Sequence, residues 1–436
     1  MIESEKSHPA RFTRRGIIGG VTAGAATAAL PGQAVAQTAP PGTSPGFFGR
    51  IFQLPPFAQP SQRVLEALRE LGKPGGLMDA KDPLQEGPVR LITNPELSPN
   101  NLDNPFHTAG TTFFGQFIDH DFTFDLNSRL GVPTQPETSP NTRVPTLSLD
   151  SVYGGGPNAN PELYDPGDRV KFRVESGGLF EDLPRRSDRV AVIADPRNDE
   201  NLMIAGLQAA FLLFHNRVVD LVRAQGTPAD RVFAEAKRIV IWHYQWIIAN
   251  EFLPQLIGFG LTQDILRHGR RHYRHFMPVE FQGAVYRFGH SMVRPSYRAN
   301  LAGDNGNPFF GFIFDPAGEG RPDPVDLRGR ARARRRFIGW QTFFNFGDGN
   351  VRPNKRIDTH ISTPLFNLPL GDGISLAGIG ARIVGEVFIG LLQLDPTSYL
   401  AAQPTWKPTL PAKSPATFTM VDLLTHAKVD PTSRRQ

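Results

Sequence analysis

Five stretches of this chain, 111–124, 200–223, 229–255, 278–293 and 328–344, space apolar residues three and four positions apart, the spacing that lines one face of an α-helix. No comparable set of stretches alternates with a period of two. The pattern predicts a mainly α fold, one large helical domain with long irregular loops and few or no strands. Between the first two stretches lies 127–190, heavy in Pro, Gly, Asp and Asn, and loops of that length in a compact domain are usually functional. From 37 to about 85 the chain is rich in Pro and Gly, with one short helical island starting at Ser61.

Composition narrows the chemistry. None of the 436 residues is cysteine, which excludes disulfides, thiolate-bound zinc or iron and cysteine nucleophiles. The 32 phenylalanines supply enough apolar area for a sizeable core or for the walls of a flat apolar pocket. The formal charge is +5, and residues 1–36 carry four basic side chains (Lys6, Arg11, Arg14, Arg15) against two acidic ones (Glu3, Glu5), so +3 remains without them. That surplus is too sparse for a nucleic-acid-binding stripe.

Arg14 and Arg15 precede a weakly apolar stretch rich in Gly, Ala and Thr, which ends in Ala34-Val35-Ala36. This reads as a twin-arginine signal peptide over 1–36, with a periplasmic or extracellular destination. The apolar run is shorter than the ~20 residues needed to span a bilayer, so no integral membrane segment is expected after cleavage. The organisation expected is therefore signal peptide 1–36, Pro/Gly-rich arm 37–90 and helical domain 91–430.

Three segments carry residues suited to chemistry. In Phe113-Phe114-Gly115-Gln116-Phe117-Ile118-Asp119-His120-Asp121-Phe122, Gln116 and His120 lie one helical turn apart, while Asp119 and Asp121 project about 100° to either side. Such a set can serve three partners, or it can be a buried histidine flanked by surface carboxylates. In Asp195-Pro196-Arg197-Asn198-Asp199-Glu200-Asn201, Pro196 holds Asp195 extended, and Arg197 opens a helix where its charge gains nothing from the dipole. That arginine either has another purpose or sits on a solvated first turn. In Tyr286-Arg287-Phe288-Gly289-His290-Ser291, Arg287 and His290 share a face, and Gly289 removes a side chain beside the imidazole, so a flat ligand can approach. His268, His272 and His275 also have helical ligand spacing, but Arg267, Arg270, Arg271 and Arg274 around them would repel a cation, and the segment reads as a solvated basic face.

Together and in this order, the three segments resemble the peroxidase–cyclooxygenase superfamily of animal-type haem peroxidases, in particular its bacterial exported members, from about residue 91 to about residue 427. The resemblance implies a largely α-helical fold with haem b held between helices. It makes His120 the distal acid–base, Gln116 its hydrogen-bonding neighbour, Arg197 the residue stabilising charge on the departing oxygen, and His290 the proximal iron ligand with Arg287 beside it. Asp119 and Glu200 match positions that form ester bonds to haem methyls in mammalian members, and Asn201 occupies the place of a methionine that adds a third link in one member. The implied reaction is reduction of hydrogen peroxide with oxidation of halides or small organic reductants.

The family's calcium loop matches Val144 to Gly154, with Ser148 and Asp150 as ligands beside Asp121; Val144 replaces a threonine and Ser148 an aspartate, so a weaker calcium site is expected. The superfamily's fatty-acid dioxygenases are the alternative, but they place a tyrosine three residues before the proximal histidine, where this chain has Arg287 and keeps Tyr286 one step away. A second alternative is a haem-binding protein with little or no turnover. Ser375-Leu376-Ala377 runs straight into Gly378-Ile379-Gly380, so the block with the asparagine that accepts the proximal histidine N–H is missing. His290 is therefore expected to be poorly supported, with Asn345, Asn354 or Asn367 as substitutes.

Overall fold

The computed structural model describes residues 48–51, 59, 61–125, 140–176, 180–269, 271, 276–367, 420 and 424. The signal-peptide region and the junction at 375–387 lie outside them. The fold is mainly helical. Helix α1 (Gln62–Gly72) confirms the island in the arm, and its cap is the Ser61 hydroxyl accepting the Val64 N–H at 3.2 Å. Helix α2 (Gly87–Thr93) follows, and then α3 (Ala109–Phe122), in which every residue except Gly115 and Gln116 is buried.

After the short α4 (Asp150–Tyr153) come α5 (Leu202–Ala224) and α6 (Val232–Ile247). α5 is long and apolar enough to cross a membrane, but most of it is buried against α3 and α6, as a core helix requires. The phenylalanines pay their way here: Phe117 of α3 stacks on Phe211 of α5 at 4.9 Å, and Tyr244 of α6 meets Phe211 edge-on at 5.6 Å. Past Ile247 the helix widens into a π turn (Ile248–Phe252) before α7 (Leu253–Ile257). Pro254 has no N–H and crowds the preceding turn, which accounts for the widening. Helix α8 (Phe259–His268) completes this arm of the fold.

Two helical expectations fail. The stretch 278–293 is not one helix: α9 (Val279–Gly283) breaks at Ala284, and a 3-10 helix (Val285–Met292) carries Arg287 and His290. The stretch 328–344 is almost entirely irregular, with only a 3-10 turn at Trp340–Thr342. Its arginines serve tertiary contacts instead: the Arg336 guanidinium donates to the carbonyls of Pro324 and Asp326 at 2.7 Å each and also to that of Arg328.

Strands are few and paired in twos. β1 (Phe48–Gly49) runs parallel to β5 (Met277–Pro278), β2 (Asp103–Thr108) antiparallel to β8 (Pro353–Lys355), and β3 (Glu175–Ser176) antiparallel to β4 (Glu181–Asp182). The longest pair is the hairpin β6 (Ser296–Asp304) and β7 (Asn307–Phe312). Asn305 and Gly306 turn it with φ of 52° and 90°, which an Asn-Gly pair adopts readily.

Candidate active site

The three segments read from the sequence meet around the C-terminal half of α3. His120 is buried, and its Nδ1 lies 2.8 Å from Asn198 Oδ1. The Asn198 amide nitrogen is committed to Gln208 Oε1 at 2.8 Å and to the Ser151 carbonyl at 3.4 Å, so its oxygen faces the imidazole. His120 Nδ1 is then the donor, and Nε2 carries the lone pair. Burial, reinforced by the Arg197 charge, holds the His120 pKa below the ordinary value, which keeps the ring neutral.

Arg197 reaches across from the 3-10 turn Pro196–Asp199 to the end of α3. Nη2 donates to the carbonyls of His120 at 3.0 Å and Thr123 at 2.8 Å and to Asp195 Oδ2 at 2.8 Å, and Nε donates to Asp195 Oδ1 at 3.1 Å. A cation is unfavourable at its own helix start but favourable at another helix's C-terminus, which explains its placement. Among the described residues, none accepts from Nη1. Arg143 Nη2 also pairs with Asp195 at 2.5 Å. Burial pushes the Asp195 carboxyl up, but its bonds to Arg197 and the neighbouring charges outweigh this and hold it at about 2.

Gln116 does not contact His120 by a hydrogen bond. Its Nε2 donates to Glu200 Oε2 at 3.0 Å, and its Oε1 accepts from Asn201 Nδ2 at 3.2 Å, so it fixes Glu200 instead. The backbone at Glu200 is clamped by the irregular 326–329 segment: Gly329 N donates to the Glu200 carbonyl at 2.9 Å, and a Cβ on Gly329 would stand 1.7 Å from Asp199 O. Asp199 itself is gripped by both Nη atoms of Arg185, at 2.6 and 2.9 Å.

The 3-10 helix with His290 is tied to α3 from both sides. The Tyr286 hydroxyl donates to Gly115 O at 2.8 Å, and Arg287 Nη1 lies 3.6 Å from Asp119 Oδ2. Three residues per turn places His290 directly above Arg287, and His290 Nδ1 donates to the Arg287 carbonyl at 2.9 Å. This corrects the expectation of an unsupported His290, because a backbone carbonyl supplies the acceptor. The asparagines named as substitutes do other work: Asn345 accepts from Gly347 N, and Asn354 donates to Thr112 Oγ1 at 3.1 Å. The side chain of Asn367 lies outside the described residues. Buried Lys355 donates to Ser291 O at 2.9 Å and anchors the end of the segment.

These residues suit a haem. The Arg287 carbonyl fixes the His290 tautomer with its lone pair on Nε2, the form that ligates iron. A Cβ on Gly289 would meet nothing within 4 Å, so the chain is open beside that imidazole. The candidate calcium residues fit less well. Asp121 accepts from Leu149 N at 3.0 Å, Ser151 N at 3.4 Å and Ser151 Oγ at 3.3 Å, so N–H and O–H dipoles meet its oxygens where a cation would be required. Asp150 Oδ2 accepts from Val144 N at 3.4 Å, and Ser148 Oγ is buried with no hydrogen-bond partner. Among the described residues no group of three or more His, Asp or Glu side chains gathers to hold a metal. As placed, this donor set does not fit calcium. Burial pushes the Asp121 carboxyl up to about 6, against the opposing effect of those amides.

Cavities of about 50 and 310 Å³ lie elsewhere: the first is lined by residues such as Arg294 and Arg352, the second by Phe309, Phe310 and Phe312. Neither includes His120 or His290, and the chemistry is located by side-chain placement. Sequence reasoning passed over Asn198, Gln208, Arg143 and Arg185. Asn198 sits inside a segment it had singled out, whereas the two arginines lie in loops where no periodicity marks a partner.

The family model for the animal haem peroxidase matches residues 179–309, a span that holds Arg197, Glu200, Arg287 and His290 but not the α3 residues. A peroxidase-like protein of Margaritifera margaritifera is 26% identical over 276 residues, 47% of this chain and 34% of that protein. A chorion peroxidase of Drosophila melanogaster is 35% identical over 170 residues, 34% of this chain and 21% of that protein. The matches thus span no more than about a third of the curated relatives' length. Among solved structures, peroxidase A of Dictyostelium discoideum has a TM-score of 0.46 at 15% identity, covering 78% of this chain and 71% of that one. A fatty acid alpha-dioxygenase of Oryza sativa has the same TM-score, 0.46, at 14% identity, covering 66% of this chain and 57% of that one. Residues 179–309 are thus similar to the animal haem peroxidase family, and the relatives that match the chain are named peroxidases or peroxidase-like.

Proposed function

We propose that this chain is a haem-dependent peroxidase that reduces hydrogen peroxide and oxidises halides or small organic reductants. The observation that carries the reading is His120, buried and neutral, with Nδ1–H given to Asn198 and its lone pair left on Nε2, on a residue whose backbone carbonyl is bound by Arg197. His290 would hold haem b through its iron, with Arg287 as a candidate partner of the macrocycle and the Asp119 and Glu200 carboxylates as candidates for ester bonds to haem methyl carbons. The bound haem supplies the redox-active iron that peroxide oxidises.

The chain's own part is proton and charge management. His120 Nε2 takes a proton from hydrogen peroxide as general base and returns it to the departing oxygen as general acid. Arg197 Nη1, the part of its guanidinium not spent on Asp195 and the α3 carbonyls, stabilises the negative charge that develops on that oxygen. Gln116 acts one step removed, by holding Glu200. The dioxygenase alternative is weaker, since Arg287 stands where it needs a tyrosine and the Tyr286 hydroxyl is bound to the Gly115 carbonyl. Arg14 and Arg15 favour export to the periplasm or beyond by the twin-arginine route, which carries folded proteins and so allows haem to be loaded first.

The test is the Soret spectrum of the haem-reconstituted protein before and after hydrogen peroxide, with a halide and a phenolic reductant present. A band that shifts and then recovers as the reductant is oxidised supports the reading. Failure to take up haem overturns it, and a haem band indifferent to peroxide assigns a binding protein instead.

A further inference from the structure

We propose that Asn198 is the positioning residue for His120: its side-chain oxygen takes the Nδ1 proton and thereby holds the lone pair on Nε2. The inference rests on the peroxidase reading for its kinetic consequence, whereas the tautomer it dictates is a property of the protein alone. Asn198 is fully buried, and each half of its amide has a partner. Oδ1 faces His120 Nδ1 at 2.8 Å, and Nδ2 faces Gln208 Oε1 at 2.8 Å and Ser151 O at 3.4 Å.

The orientation of that amide is not interchangeable. A backbone carbonyl accepts only, so turning Asn198 over would set its own oxygen against Ser151 O and its NH₂ against the imidazole. Ser151 O therefore fixes the amide, and the amide fixes the ring. Ser151 in turn gives its N–H and O–H to Asp121, the residue after His120. A closed circuit results, running from α3 through α4 and the Pro196–Asp199 turn and back to α3. Gln208, buried on α5, braces it from behind.

A buried imidazole without this acceptor would exchange its tautomers or turn its ring, and its lone pair would spend time on Nδ1 instead of Nε2. Loss of such an orienting partner typically costs ~10–100-fold in activity where it has been removed from histidine sites. The effect should fall on the peroxide step and leave the reductant's KM unchanged, because Asn198 acts only through His120.

The first experiment uses histidine labelled with ¹⁵N in the haem-free protein. The expected spectrum has His120 Nδ1 in the protonated, pyrrole-type range and Nε2 in the pyridine-type range, and the reverse assignment overturns the proposal. The second compares the rate of the peroxide-induced Soret change in the haem-loaded parent, Asn198→Ala and Asn198→Asp. Asn198→Ala should lose ~10-fold or more and show mixed tautomers, and Asn198→Asp, which keeps the acceptor for Nδ1–H but sets its second oxygen against Ser151 O, should hold the proton on Nδ1 while recovering only part of the rate. An alanine variant as fast as the parent overturns the proposal. Should the alanine variant not fold, the parent spectrum and the aspartate variant decide: an Asn198→Asp protein whose His120 carries its proton on Nε2 overturns it. A parent that binds haem but never responds to peroxide refutes the peroxidase reading, and the tautomer measurement still decides the role of Asn198.

Discussion

Arg197 Nη2 lies 3.0 Å from the carbonyl oxygen of His120, so the residue that opens one helix closes the end of the helix that carries the imidazole. The same guanidinium neutralises the fully buried Asp195. Arg197→Ala is expected to cost about 2–4 kcal/mol, the upper end tempered by Arg143 remaining beside Asp195. Arg197→Lys should fall between, because an ammonium keeps the charge but not the planar fork. Urea unfolding reads the difference, and an unchanged midpoint for Arg197→Ala would remove the capping role.

The two histidines should separate haem binding from haem chemistry. His120→Ala is expected to retain the Soret band while peroxidase turnover drops by about 10²-fold or more. His290→Ala should lose haem itself. Equal turnover in His120→Ala and the parent would sink the distal assignment, whatever the haem content.

Two glycines offer a contrast of cause. At Gly329 a Cβ would press on Asp199 O at 1.7 Å, so Gly329→Ala should displace the Glu200 backbone, cost about 1–3 kcal/mol and lower haem uptake. At Gly289 a Cβ meets nothing within 4 Å, so Gly289→Ala should leave the haem-free protein as stable as the parent and still weaken haem binding. Thermal melts of the haem-free forms alongside haem titrations distinguish them. Unimpaired haem binding by Gly289→Ala would show that the open space beside His290 is not where the macrocycle lies.

Asp121 gives a pH dependence of definite sign. Its folded pKa is raised from 3.8 to about 6, so its contribution is fully present below about pH 4 and is lost as pH rises through 6. The swing is on the order of 2–3 kcal/mol. Asp121→Asn keeps an acceptor but cannot ionise, and it should gain stability relative to the parent between pH 4 and 7. Melting curves of both proteins across that range, with and without calcium, provide the check; a constant offset between them would contradict the raised pKa, and calcium stabilisation of the parent alone would restore the cation site.

Covalent attachment of haem is a separate question from its binding. If Asp119 and Glu200 esterify haem methyls, acid organic solvent should extract haem from the freshly reconstituted protein but not after peroxide cycling. Asp119→Asn or Glu200→Gln should then return part of the haem to the solvent. Complete extraction after cycling rules the esters out and leaves the binding role of both residues intact.

The helices α5 and α6 were legible in the amino-acid order because burial against neighbours writes a helical period of apolar residues into the chain, whereas α3, buried on nearly every side, was legible from its apolar spacing. The three site segments were legible only together and in order, through their resemblance to a known family, since taken alone His120 also reads as a buried histidine and Arg197 as part of a solvated first turn. The hairpin at Asn305-Gly306 was also written there, in a turn pair that was passed over. What the tertiary structure alone decided were the partners. The apolar spacing at 328–344 is helical, yet Gly329 and the buried guanidiniums of Arg328 and Arg336 find better partners in Asp326 and in distant carbonyls, and the segment stays irregular. Likewise, no spacing rule relates His120 to Asn198 or Arg197 to the end of α3, because 77 or 78 residues separate them and only packing brings them within hydrogen-bond reach. Periodicity reports which face of an element is buried; it carries no information about which polar group waits on the other side.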